Sequence, residues 1–118
     1  MYSINAHNEY GYSSEQLAAS HLKSHGYKII CQNYFTQYGE LDIVANIDDI
    51  LVFCEVKARH KNDGFEIITR AKTRRCCRAA MLFLSKYPDF ECLNMRFDLI
   101  HIVGKKIHEH LIGAWDCA

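Results

Sequence analysis

The chain has 118 residues, the length of one domain and enough to bury about 65% of the surface its unfolded form exposes. Its 14 basic residues balance its 14 acidic ones, so global charge singles out no class of partner. No apolar run approaches the roughly 20 residues of a membrane span, and the polar stretch from Met1 to Tyr12 lacks a signal peptide's apolar segment, so a cytoplasmic location is expected.

Taken in order, Ser13 and Ser14 are candidate N-caps for a first helix running to about His25. Leu17, Ala18 and Leu22 supply its apolar side, and Gly26 ends it. Glu15 falls in the first turn, where a carboxylate favoured by the helix dipole is common and a structural role is the simpler reading. Tyr27 to Phe35 is rich in β-formers, with Ile29, Cys31 and Asn33 alternating against Ile30 and Tyr34. A Tyr38-Gly39 turn leads to a second strand, with Leu41, Ile43 and Ala45 on one face and Glu40 and Asp42 on the other. Asn46 to Asp49 is a tight connection to a third strand, Ile50 to Arg59, which predicts a hairpin. Period-2 alternation puts Val52, Cys54, Val56 and Ala58 on one face of that strand. Leu51, Phe53, Glu55, Lys57 and Arg59 take the other face, which turns from apolar to charged at Glu55.

A second helix is predicted over about Ile67 to Lys86. Ile68, Ala71, Cys76, Ala79, Leu82 and Phe83 form its buried stripe, and Pro88, the single proline, stops it. Met95 to Val103 and Ile107 to Trp115 close the chain as two strands around Gly104-Lys105-Lys106. Arg96 and Asp98 share a face of the first; His108 and His110 share a face of the second, where solvent-facing histidines are a simpler reading than metal ligands. The order α-β-β-β-α-β-β, without repeat or linker, predicts a single α/β domain over residues 1–118, with a mixed sheet of α+β type flanked by helices. With no secretion signal and no Cys-x-x-Cys, the six cysteines read as reduced packing residues.

Two features carry chemistry. Arg59, Lys61, Arg70, Lys72, Arg74, Arg75 and Arg78 gather half of the basic residues between positions 59 and 78. Such a cluster is either a solvated helix face or an anion-binding surface. Arg70, Arg74 and Arg78 stand at helical spacing, where like charges cost a few tenths of a kcal/mol per pair, and that penalty tilts the reading toward an anionic partner. The other feature is the hairpin. If its polar faces align, Asp42 and Glu55 converge and repel each other unless a proton or cation intervenes. Oxygen ligands without His or Cys suit Mg²⁺ or Mn²⁺, and the Val56 carbonyl is placed to add a third oxygen. Lys57 is placed to orient an attacking water or to stabilise charge on a phosphate. A surface ion pair at Lys57 is the bland alternative.

Those motifs resemble the YraN family of uncharacterised proteins, a branch of the PD-(D/E)XK nuclease superfamily similar to archaeal Holliday-junction resolvases. The likeness rests on Gly11, Glu15, Ala18 and Leu22, then Asn33, Gly39-Glu40-Leu41-Asp42, and Val52-Phe53-Cys54-Glu55-Val56-Lys57-Ala58-Arg59. It continues through Lys72, Arg96-Phe97-Asp98, His110 and Ala114-Trp115. It implies a restriction-endonuclease-like core and an Mg²⁺- or Mn²⁺-dependent endonuclease acting on DNA, on branched or structured duplex. Asp42 and Glu55 would be metal ligands with the Val56 carbonyl, Lys57 the catalytic lysine, and Glu15 an added acid of the site. Arg59, Arg70, Lys72, Arg74, Arg75 and Arg78 would hold phosphates, and two copies would act as a homodimer. The alternative is an accessory protein that keeps the nuclease fold and binds nucleic acid without cutting.

Overall fold

The structure, a computed structural model, describes residues 9–60 and 68–117, with side chains from residue 14 onward. The predicted elements appear in the predicted order: α1 (Glu9–Ser24), β1 (Lys28–Thr36), β2 (Gly39–Ile47), β3 (Ile50–Arg59), α2 (Arg70–Lys86), β4 (Asn94–Val103) and β5 (Lys106–Trp115), with a short 3₁₀ turn at Pro88–Phe90. One mixed sheet runs β1-β2-β3-β4-β5. Every neighbouring pair is antiparallel except β3 and β4. Parallel neighbours need a crossover, and α2 is that crossover.

The two faces of β3 decide where the helices go. Val52 and Cys54 pack with Ala18 and Leu22 of α1, with Ile43 and Ala45 of β2, and with Ile100 and Ile102 of β4. Leu51 and Phe53 pack on the opposite face with Cys76, Ala79, Ala80 and Phe83 of α2. A fully buried side chain of this kind contributes about 1.5–3 kcal/mol, so two filled faces fix the alternation of β3. Gly26, at φ +89°, ends α1. The Tyr27 N–H reaches the Leu22 carbonyl and the Gly26 N–H that of Lys23, satisfying the last turn.

Several expectations need correction. Helix α1 begins upstream of its predicted caps, so Ser14 is a buried helical residue, not an N-cap. Strand β1 carries a bulge between Ile29 and Cys31. The bulge breaks simple alternation: Ile29 packs on the α1 side, while both Ile30 and Cys31 face the α2 side. Leu41 joins the α2 cluster, opposite Ile43 and Ala45, because β2 leaves regular pairing at Asp42. Helix α2 is capped by Thr69, whose hydroxyl accepts the Lys72 N–H at 3.1 Å. Ala71 is exposed, Ala80 is buried in its stead, and Leu84 joins the partly buried rim of that cluster. Lys61 and the predicted first helical residue, Ile67, lie outside the described residues.

The largest correction concerns the cysteines. Cys77 and Cys117 form a disulfide with Cα atoms 5.7 Å apart, while Cys31, Cys54, Cys76 and Cys92 are free thiols. Adjacent cysteines on a helix point about 100° apart. Cys76 therefore enters the core while Cys77 meets the C-terminal segment. Among the described residues no helix is long and apolar enough to cross a membrane.

Candidate functional site

The ladder between β2 and β3 runs from Ile47↔Ile50 to Ile43↔Cys54 and stops. Beyond it the strands part, and a backbone donor of β3 would be left over. Asp42 fills that place: its Oδ2 accepts the Val56 N–H at 2.9 Å. The N–H and C=O of one residue in an extended strand point to the same side, so the Val56 carbonyl also faces the gap.

Four carboxylates meet there. Asp42 is 9% exposed and Glu55 only 3%. Ligand atoms of Glu15 from α1 and of Glu40 and Asp42 from β2 lie within 4.8 Å of one another. Burial pushes the Asp42 carboxyl far above the usual range; repulsion and a shared hydrogen bond with Glu55 add to this, as does the Glu15 charge, against the pull of the Val56 N–H. Glu15 is raised as well, first by burial and then by Glu40 and Glu55, against the opposing hydrogen bond from Asn33. The donors are all hard oxygens. Lys72 of α2, 3.0 Å from Glu55, is paired with them, and most of their negative charge is left for a proton or a cation to meet. That chemistry fits Mg²⁺ or Mn²⁺ and not zinc. Buried Cys76 is no competitor, since burial and the charges of Glu55 and Asp42 push its thiol up to about 12.

The sequence expectations divide here. The structure brings Glu15, Asp42 and Glu55 together with the Val56 backbone. Lys57 lies two residues along β3 from Glu55, half-buried, on the face where α2 packs. The cation that meets Glu55 is Lys72 of α2, at 3.0 Å. Burial opposes its charge, but the Glu55 hydrogen bond and the charges of Glu55 and Asp42 prevail, so its pKa is raised. Glu40 was legible as a polar-face neighbour of Asp42 two residues away, yet it had no role assigned. Asn33, which bonds both Glu15 and Glu40, is among the residues that carry the family resemblance, but spacing alone gives it no role.

The basic residues of α2 line two pockets. Lys72 and Arg75 line a small pocket with Tyr38, Glu40 and Asp42. Arg70, Arg74 and Arg78 line a separate groove of about 560 Å³ with Thr73, Asp116 and the Cys77–Cys117 bridge. Arg78 also lies over the Tyr38 ring, 5.9 Å from its centroid. Arg59, at the end of β3, turns its Nη1 back to the His60 carbonyl at 3.3 Å.

A second buried acid sits across the sheet. Asp98 of β4 has no exposed surface. It accepts Nε and Nη2 of Arg96, both at 2.8 Å, and the Gly113 N–H at 3.0 Å. His110 Nε2 is also 2.8 Å away. The His110 Nδ1 meets His21 Nε2 of α1 at 3.1 Å, and Arg96 donates to the Tyr27 hydroxyl at 2.7 Å. Burial alone would raise the Asp98 pKa, but the bonds from His110, Arg96 and Gly113 outweigh it and hold it below the ordinary value. His110 is thus a half-buried partner of Asp98, contrary to the solvent-facing expectation, and of the two only His108 is exposed.

Fold and site define a class: an α+β domain whose mixed five-stranded sheet opens between two central strands onto a nest of carboxylates. The chain belongs to the uncharacterised protein family UPF0102, whose model matches residues 14–102, the YraN family of the sequence resemblance. It is 38% identical over 109 residues to a UPF0102 protein of Nitrobacter winogradskyi, covering 92% of each chain. Similar relatives occur in Azorhizobium caulinodans, 40% identical over 107 residues (90% of this chain, 82% of the relative). Another in Rhodopseudomonas palustris is 38% identical over 109 residues (92% and 84%).

Proposed function

We propose that this chain is an Mg²⁺- or Mn²⁺-dependent endonuclease that hydrolyses DNA phosphodiesters, with branched or structured duplex as substrate, in the cytoplasm. One observation carries the reading: Asp42 and Glu55 are buried in contact where β2 and β3 part, with the Val56 backbone turned into the same gap. Asp42, Glu55 and the Val56 carbonyl would hold the cation, with Glu15 beside them. A bound divalent cation supplies charge neutralisation at the phosphate and a more acidic water.

The chain's own groups do the rest. Lys57, on the Glu55 face of β3, orients the water whose oxygen joins phosphorus as the bond to the departing sugar oxygen breaks. Lys72 and Arg75 flank the carboxylates and take up charge on the phosphate. Arg70, Arg74 and Arg78, with Arg59, hold phosphates further along the strand, so binding weakens steeply with salt. A homodimer would supply two such centres to a symmetric junction.

The test is nicking of supercoiled and four-way-junction DNA with Mg²⁺ or Mn²⁺. Wild type cuts, while Asp42→Ala and Lys57→Ala reduce cutting to background; activity surviving both changes overturns the assignment. A second reading, an accessory protein that binds nucleic acid without cutting, draws support from the Lys72–Glu55 ion pair. That pair already neutralises one proposed ligand. Metal-independent junction binding with no cleavage decides for it.

A further inference from the structure

We propose that Asn33 is a positioning residue that arms the carboxylate nest without neutralising it; the inference rests on the functional reading above. Asn33 lies in β1 between Gln32 and Tyr34, which pair with Ile43 and Leu41, and so stands across from Asp42. Its backbone is at φ +53°, a left-handed conformation that asparagine tolerates better than most side chains. That turn aims the carboxamide toward α1. Its Nδ2 donates to Oε1 of Glu15 and, at 3.0 Å, to Oε2 of Glu40.

One neutral group therefore spends both of its N–H bonds on two carboxylates from different elements. Each carboxylate keeps its second oxygen. Glu15 and Glu40 are drawn to within 4.8 Å of each other and of Asp42, against their mutual repulsion. A lysine or arginine in this place would gather them as well, but its charge would compete with a divalent cation. The amide fixes geometry and leaves the negative charge in force. It also brings in Glu40 as a fourth acid beside Glu15, Asp42 and Glu55. Groups that hold metal ligands in place are worth about 10–100-fold in metal affinity.

The experiment compares the full-length wild type with Asn33→Gly by Mn²⁺ titration calorimetry and by metal-free thermal melting. Glycine accepts φ +53° without strain, so the backbone survives while the amide is lost. The expected result is Mn²⁺ affinity at least tenfold weaker, with a metal-free melting temperature equal to or above wild type. Equal Mn²⁺ affinity in both proteins overturns the role of Asn33 and leaves the metal site standing. A markedly lower metal-free melt also overturns it, because Asn33 would then hold the fold and not the site. No Mn²⁺ uptake by wild type removes the site itself, and the inference with it. In a double variant with Glu40→Gln, the second change must cost less than it does alone; strict additivity contradicts the proposed linkage.

Discussion

Asp42 and Asp98 are both buried in one sheet, and their surroundings are opposite. Asp98 has a two-pronged arginine, a histidine and a backbone N–H around it, and its pKa is lowered. Asp42 has one backbone N–H and acidic neighbours, and its pKa is raised. A buried carboxylate persists only when its charge is met. In the first centre the chain meets that charge from its own residues. In the second Lys72 pairs with Glu55, and the rest of the charge is left for a proton or an added cation. The contrast separates an acid that holds the fold from one that costs stability and is therefore suited to chemistry.

The contrast can be broken by experiment. The largest expected effect is at Asp98: Asp98→Ala leaves Arg96 and His110 without their carboxylate and should cost roughly 3–5 kcal/mol in urea unfolding. Next is the cation itself. At a hundred times its dissociation constant Mn²⁺ should stabilise wild type by about 2.7 kcal/mol. Thermal shifts should show that gain vanish in Asp42→Asn and persist in His110→Gln. A smaller effect of opposite sign to that of Asp98→Ala follows for Asp42→Asn without metal. The amide still accepts the Val56 N–H and can donate to Glu55, so stability at neutral pH should rise by roughly 1–2 kcal/mol.

The pH profile gives the last test. A carboxyl whose folded pKa is raised holds its proton more tightly in the native state. Metal-free stability should therefore fall as pH climbs from the ordinary 3.8 toward about 9 on account of Asp42. Asp98 acts the other way, losing its contribution as pH drops below 3.8 and through its lowered pKa. His21 is lowered from 6.5 by burial and by the charges of His110 and His25. Its contribution is thus present above pH 6.5 and lost as pH falls through the lowered value. Asp42→Asn should flatten the fall between pH 3.8 and about 9, and His21→Gln the fall just below pH 6.5, as read by melting temperature against pH.

Much of this was legible beforehand, for local reasons. β3 alternates cleanly because both its faces are buried against helices, so Val52 and Phe53 announce their sides by spacing alone. The hairpin joining β2 to β3 follows from short polar residues between apolar runs, and it brings Asp42 near Glu55. What stayed hidden depends on departures from regularity or on distant partners. The bulge at Ile29/Cys31, the displacement of Leu41 and the left-handed Asn33 each break period 2 at one residue. Lys72 reaches Glu55 only after a crossover has folded back, and Asp98 finds His110 only across a strand pair. Neither meeting leaves a trace in local spacing.

The bridge between Cys77 and Cys117 has a consequence for the unfolded chain. It spans a separation of 40 residues and turns the stretch holding β4 and β5 into a covalent ring even after denaturation. Closing a ring of that size removes chain entropy worth about 4 kcal/mol. Glu15, Asn33, Asp42 and Glu55 all lie outside the ring, whereas the C-terminal half of α2 and the tail beside its arginines lie on it. Dithiol reductants thus act on one half of the molecule's thermodynamics, through the entropy of its denatured state, and leave the chemistry of the other half untouched.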